Sequence, residues 1–173
     1  MRVFSCSAAL ALVLSFLAAS PITAVAQGMT NPYGGPITTD VAKKAATTAL
    51  AEARKNGWTV YATVVDTGGI VVYVERIDGV QYGSAETSFE KARTAVMYKR
   101  ATKLIEDRIT AGQNQYLKLP GATPIQGGVP ILVDGKIVGA IGVSGATSAQ
   151  DNQCAQAGVD AVSPPPASPA PAR

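Results

Sequence analysis

The sequence predicts an α+β domain in which helices cover the faces of an antiparallel sheet. Two hairpin signatures come first. Residues 129–133 and 136–143 are apolar runs joined by Asp134-Gly135, and residues 58–65 and 70–75 are joined by Asp66-Thr67-Gly68-Gly69. An Asp-Gly pair between apolar runs favours a tight turn, because type I′ geometry needs positive φ at both central residues. Strands joined so closely must run antiparallel. The third observation is a switch to helical periodicity before, between and after the hairpins, which sets helices against the sheet.

Taken from the amino end, residues 1–26 read as a secretory signal: Arg2, an apolar run over 8–19, and the small-x-small site Ala24-Val25-Ala26 ahead of Gln27. That run falls short of the roughly 20 apolar residues of a membrane span. The expectation is a periplasmic or secreted protein with no membrane insertion. Residues 27–37, rich in Gly, Pro and Asn, read as a flexible lead-in, and residues 38–162 as the one domain. Thr38 or Thr39 can cap the first helix, with Asp40 in its first turn. Its apolar face is Val41, Ala42, Ala45, Ala46, Ala49, Leu50 and Ala53, and Asn56-Gly57 gives a left-handed exit. The two strands that follow are apolar on nearly every residue, which predicts a sheet covered on both faces.

Ser84 is placed to cap a helix over 85–102, with Phe89, Ala92 and Val96 inward and Glu86, Glu90, Lys91, Arg93, Lys99 and Arg100 on the other side. A short helical piece over 103–109 continues it. Residues 113–128 have no period, and a loop of that length reads as a cover. A closing helix begins near Ser148 with Asp151 in its first turn. The remainder, 163–173, is a Pro-rich, disordered tail.

Composition removes more functions than it adds. The chain has no histidine, so Ser-His and Cys-His nucleophile pairs, His-ligated zinc and a histidine axial ligand to haem are excluded. Cys6 leaves with the signal and strands Cys154, which excludes an intrachain disulfide and cysteine-based zinc sites. Loss of Arg2 from the 15 basic residues leaves them close to the 12 acidic ones, and no basic cluster offers itself to nucleic acid.

Gly139, Gly142 and Gly145 punctuate the last strand. Glycines there point either to close helix packing or to a flat ligand or partner chain against the sheet. The corner Ser144-Gly145-Ala146-Thr147 precedes a helix, whose free amides suit an anion unless Ser148 caps them. The acidic residues Asp66, Glu75, Asp78, Glu86 and Glu90 offer a general base for a small enzyme acting on an organic acid, with Asp66, Glu75 and Arg93 as its catalytic candidates. Glu86 and Glu90, one helical turn apart, could share a cation. Apolar strand faces and the glycine corner together predict a homo-oligomer.

The segments VVDTGGIVVYVERIDG (64–79), FEKARTA (89–95) and PIQGGVPILVDGKIVGAIGVSGATSAQD (124–151) resemble the GlcG/HbpS-like family of haem-binding and related proteins. The resemblance spans about residues 37–162. It implies a profilin-like fold with a five-stranded antiparallel sheet, oligomerisation, and a small-molecule ligand, haem or a corrinoid. Many members read Asp-x-Gly-Gly-His where this chain has Asp66-Thr67-Gly68-Gly69-Ile70, so the scaffold carries over and histidine ligation does not. Other axial ligands are Tyr, Met or Cys: Tyr61, Tyr73, Tyr82, Met97 and, ahead of these, Tyr98, Tyr116 and Cys154, each with an ordinary packing role as its alternative. Arg93 and Arg100 suit propionates. Gly127, Gly128, Ser144 and Gly145 complete the expected ligand surface, a concave, glycine-floored wall. Cys154, in the first turn of the closing helix, is also the thiol expected to form an intermolecular disulfide if the protein senses oxidants.

Overall fold

The computed structural model describes residues 31–163 of the 173-residue chain; the signal-like segment and the tail from residue 164 onward lie outside the described residues. Helix α1 (Thr39–Lys55) begins where the Thr38 hydroxyl accepts the Val41 amide at 3.5 Å, and ends through Asn56 into Gly57 at φ 72°. Five alanines and Leu50 form its buried stripe. Strands β1 (Tyr61–Asp66) and β2 (Val71–Arg76) form the first hairpin. Helices α2 (Gly83–Met97) and α3 (Thr102–Thr110) follow, then a 3-10 turn at Asn114–Lys118. Strands β3 (Gly128–Val133) and β4 (Lys136–Ser144) form the second hairpin, and α4 (Ser148–Asp160) closes the domain.

The sheet is antiparallel throughout, in the order β2-β1-β4-β3. Its described strands number four, where the family resemblance implied five. The segment nearest to a further strand is the lead-in beside the start of β4. There Ile137 donates to Pro32 O at 2.9 Å, and Gly34 and Ile37 donate to Ile137 O and Val138 O at 2.8 Å. Pro32 and Pro36 have no N–H to extend that ladder, so it stops at a single parallel bridge, Tyr33 to Ile137.

Helices α1 and α4 pack on one face of the sheet, around Ala49, Leu50, Val64, Ile131, Ile141 and Cys154. Helix α2 packs on the other, over β4, β1 and β3, with Ala92, Ala95 and Val96 against Val65, Ile137 and Ala140. It stops short of β2. The expectation of a sheet covered on both faces therefore fails at that edge: Val71 and Val74 are 47% and 51% exposed.

Two other expectations are corrected. The second helix does not run on to residue 102; it ends in a left-handed Lys99 at φ 53°, with Arg100 N bonded back to Ala95 O at 3.2 Å. That six-to-one closure is a Schellman ending with lysine where glycine is usual, and the Lys99 ammonium lies 4.2 Å over the Tyr33 ring. Nor does Ser84 cap α2: it lies one residue inside the helix, buried, with its hydroxyl unpartnered.

The glycines are explained by backbone contact. A Cβ at Gly142 would stand 2.0 Å from Ser88 O, and one at Gly128 2.2 Å from Lys91 O, so α2 rests on the sheet at both places. Gly139 faces Val65 O, Gly145 faces Thr59 O, and Gly158 lets α4 approach Ala45 O on α1. The glycine-floored wall is thus filled by the chain itself. Gly142→Ala is expected to lower stability by about 1–3 kcal/mol or more through overpacking, whereas Gly35→Ala, with nothing within 4 Å, is expected to be near neutral; thermal denaturation of the two variants checks the contrast.

Candidate functional site

The inner face of α2 carries Ser84, Ser88, Lys91, Ala92 and Ala95, a stripe of small or hydrogen-bonded residues. Lys91 was expected outside. Instead it is 1% exposed, and its Nζ donates to Asp151 Oδ2 at 2.8 Å and to Val143 O at 3.0 Å. Asp151 Oδ1 accepts the Ala146 amide at 3.0 Å. Burial pushes the Asp151 carboxyl above its ordinary value, against the opposing pull of Lys91 and of the Ala146 and Gly145 amides. Beside this pair, Thr63 and Ser88 share a buried hydrogen bond of 2.7 Å. Neither partner of the ion pair stood out in the sequence as one of a pair. The available signal was Lys91's place seven residues after Ser84 and three after Ser88, on the stripe that faces the sheet.

The long loop is a strap over α2 and α3. The Thr94 and Thr102 hydroxyls accept the amides of Thr123 and Gly128 at 2.8 and 2.9 Å, and Glu106 Oε2 accepts that of Gln126 at 2.7 Å. Tyr98 Oη donates to Pro120 O at 2.6 Å. Gly127 and Gly128 are buried beneath it, Gly127 O accepting the Val143 amide at 2.9 Å.

The other named residues are dispersed. At the corner, Ala146 N goes to Asp151 and Thr147 N to Gln150 Oε1, while Thr147, rather than Ser148, caps α4 in a capping box with Gln150. These amides are therefore engaged within the chain. Ser144 is buried. Tyr116 is hydrogen-bonded by Arg108, whose guanidinium stacks on its ring. Arg100 Nε donates to Tyr98 O at 3.0 Å. Asp66 holds the first hairpin turn, accepting from Gly68 N and Ile70 N. Glu75 accepts from Tyr73 at 2.9 Å and lies 3.8 Å from Arg54 of α1. The enzyme candidates are not gathered: Glu75 is on the α1 side, Asp66 closes a turn, and Arg93 is on α2 with Glu90 at 3.8 Å. Glu90 thus faces a cation of the chain itself, and among the described residues no group of three His, Cys, Asp or Glu could hold a metal.

Cys154 is in the second turn of α4, not the first, and is fully buried. Burial, with Asp151 and Glu52 nearby, pushes its thiol up to about 12. Tyr73 is raised by its hydrogen bond to Glu75, and Tyr61 accepts from Arg76 at 3.1 Å. A thiolate at Cys154 and a phenolate at Tyr73 are therefore disfavoured as iron ligands.

Among the described residues, open apolar surface includes two places on or beside the sheet. One is a cleft of about 210 Å³ lined by Pro36, Ile37, Thr38, Val41, Val133 and Val138, smaller than the roughly 300 Å³ at which drug-sized pockets begin. The other is the α2-side face of β2. Register places Val71 against Val65 and Val74 against Thr63, both on that side; Ile70, just before the strand, is 67% exposed. A Cβ at Gly69 would stand 3.5 Å from Arg93 Cγ, so the half-exposed Arg93 borders the same end. The arrangement is a bare apolar strand face with a cation at its rim.

Fold and site together define a small α+β sandwich with a bare apolar strand face and a half-exposed arginine beside it. The chain belongs to the HbpS-like family: the family model described as "Haem degrading protein HbpS-like" matches residues 37–160. The chain is similar to Protein GlcG of Escherichia coli K12, 43% identical over 93 residues, which are 54% of this chain and 69% of that protein. Its fold is similar to that of a double mutant of Streptomyces reticuli HbpS, with a TM-score of 0.67, 33% identity, and coverage of 82% of this chain and 96% of the other. It is similar as well to PduOC solved as a haem complex, at TM-score 0.65 and 25% identity over 73% of this chain and 94% of that one.

The burial of Cys154 gives it the packing role that the sequence offered and not that of an accessible thiol. In the folded protein the peptide containing Cys154 is expected to stay unalkylated by iodoacetamide at pH 8 and to label fully in denaturant, read by mass spectrometry; labelling in the native state would contradict the structure.

Proposed function

We propose that this protein binds haem or a closely related tetrapyrrole against the bare face of β2, by apolar contact and without a protein bond to the metal. The observation that carries the reading is the exposed face of Val71 and Val74, with the exposed Ile70 just before it and Arg93 at its rim. A porphyrin needs apolar surface for its faces and a cation for its propionates, and both are present there. Support comes also from family membership and from the likeness to PduOC, whose solved structure is a haem complex. Ile70 occupies the position at which many relatives carry histidine, so this chain offers the ring a methyl-rich contact in place of an imidazole. Tyr98 and Arg100, tied to each other and to the strap, lie at the same end of α2 and set the loop that borders the site. Export to the periplasm or beyond belongs to the same reading and is supported by the pattern of residues 1–26.

Titration with hemin is expected to give a saturable Soret shift. Arg93→Ala is expected to weaken binding by about tenfold, the loss of one charge-assisted hydrogen bond, while Arg54→Ala, on the opposite face, leaves it unchanged. A wild-type response no larger than that of an unrelated protein would overturn the proposal.

A further inference from the structure

The ligand reading makes no use of the apolar cleft of about 210 Å³ beside the second hairpin. Its lining comes from Pro36 and Ile37 of the lead-in, Thr38 and Val41 at the start of α1, and Val133 and Val138 on either side of the Asp134-Gly135 turn. Ile37, Val41 and Val138 share the core on the α1 side of the sheet, which places the cleft there. Its polar groups are already engaged. The Thr38 hydroxyl accepts the Val41 amide, Thr38 O accepts the Ala42 amide, Ile37 N donates to Val138 O at 2.8 Å, and Pro36 has no N–H. What the cleft offers an occupant is apolar contact, with Val133 left 39% exposed.

The described residues end at the rim of this cleft. Beyond α4, Ser163 N bonds back to Val159 O at 2.8 Å, and Ser163 Oγ accepts the Leu132 amide at 3.0 Å. Val162 packs on the α1-side core. Leu132 directly precedes Val133, and consecutive Cα atoms are about 3.8 Å apart. The Ser163 side chain therefore pins the exit of the chain to β3, on the α1 side and one residue from the cleft.

We propose that the segment leaving this point, beginning Pro164-Pro165-Pro166-Ala167, folds back into the cleft of its own chain and closes it. The chemistry of the two matches. Three consecutive prolines bring apolar rings and no N–H group in need of a partner, and their carbonyls can stay toward water. Fixed φ angles leave them little backbone freedom to lose on docking, the advantage that proline-rich segments have on apolar grooves. Length is sufficient as well. Val133 and Val138 are on neighbouring strands about 4.8 Å apart, and three or four residues at roughly 3.1 Å each cross that span and reach the start of α1.

Tethering decides for this occupant over a separate peptide. A segment attached at the rim meets the cleft at an effective concentration in the millimolar range, so contact with a handful of methyl groups is enough to hold it. Once docked, it joins the lead-in, α1, the second hairpin and the end of α4 at one place. The proposal is independent of the ligand reading, since the cleft and the bare face of β2 are on opposite sides of the sheet.

Methyl and proline resonances of the full chain test it by NMR. Nuclear Overhauser contacts are expected between the ring protons of Pro164, Pro165 or Pro166 and the methyls of Val41, Val133 or Val138. The triple variant Pro164→Ser, Pro165→Ser, Pro166→Ser is expected to lose them and to shift those methyls, while the Val71 and Val74 methyls and the hemin response stay unchanged. Val133→Ser, an exposed change in the cleft wall, is expected to release the same contacts with the circular dichroism spectrum unaltered. Cleft methyls that are identical in the triple variant and the parent chain would overturn the proposal. So would contacts from residues 1–30 in place of the prolines, which would make the other end of the chain the occupant. Contacts seen only between differently labelled chains would assign the cleft to another copy and overturn it too.

Discussion

The structure depends on one buried charge pair. Lys91 reaches from the middle of α2 through the plane where α2 meets the sheet, and ends between the Asp151 carboxylate and the Val143 carbonyl. Three elements meet there: the inner face of α2, the last turns of β4 and the first turn of α4. Asp151 completes the junction by accepting the Ala146 amide, which closes the corner between β4 and α4. Two charges this deep in the fold gain from each other only if their remaining hydrogen bonds are satisfied, and here the carboxylate and the ammonium each have a second partner.

The same junction decides what is left open. Helix α2 can sit this low because glycines 128 and 142 present bare backbone to Lys91 and Ser88. Centred there, it covers β4, β1 and β3 and leaves β2 uncovered on that side, while α1 covers β2 from behind. The exposed valines and Arg93 are thus a consequence of where the small-residue stripe draws the helix. The strap from Pro120 to Gly128, tied to Thr94, Thr102 and Glu106, holds the outer side of α2 and α3 in the same position.

Much of the fold was legible in the residues. Hairpins at Asp66–Gly69 and Asp134-Gly135, the alanine stripe of α1 and the start of α4 near Ser148 all follow from local chemistry, although the cap of α4 is Thr147 and not Ser148. The fate of the glycines was not legible, since the same pattern serves a ligand or a helix, and only the Ser88 and Lys91 carbonyls decide between them. Lys91 misled because a lysine between Glu90 and Arg93 reads as solvated; its partner is sixty residues away, and no local period reports such a contact. For Cys154 the sequence offered both a packing role and a reactive thiol, and the burial that decides for packing comes from contacts with the rest of the core, which no local pattern reports. Tyr98, Tyr116 and Arg100 sit near the predicted loop, yet their polar atoms are used to build it.

The account is tested most directly by a double-mutant cycle on the buried pair, with unfolding free energies measured in urea for Lys91→Met, Asp151→Leu and the double variant. Each single change is expected to cost about 3–5 kcal/mol, because it leaves one charge buried alone, and the double variant to cost less than either. Single changes costing under about 1 kcal/mol and simply adding in the double variant would contradict it, and would mean that α2 is held in place by something other than this pair.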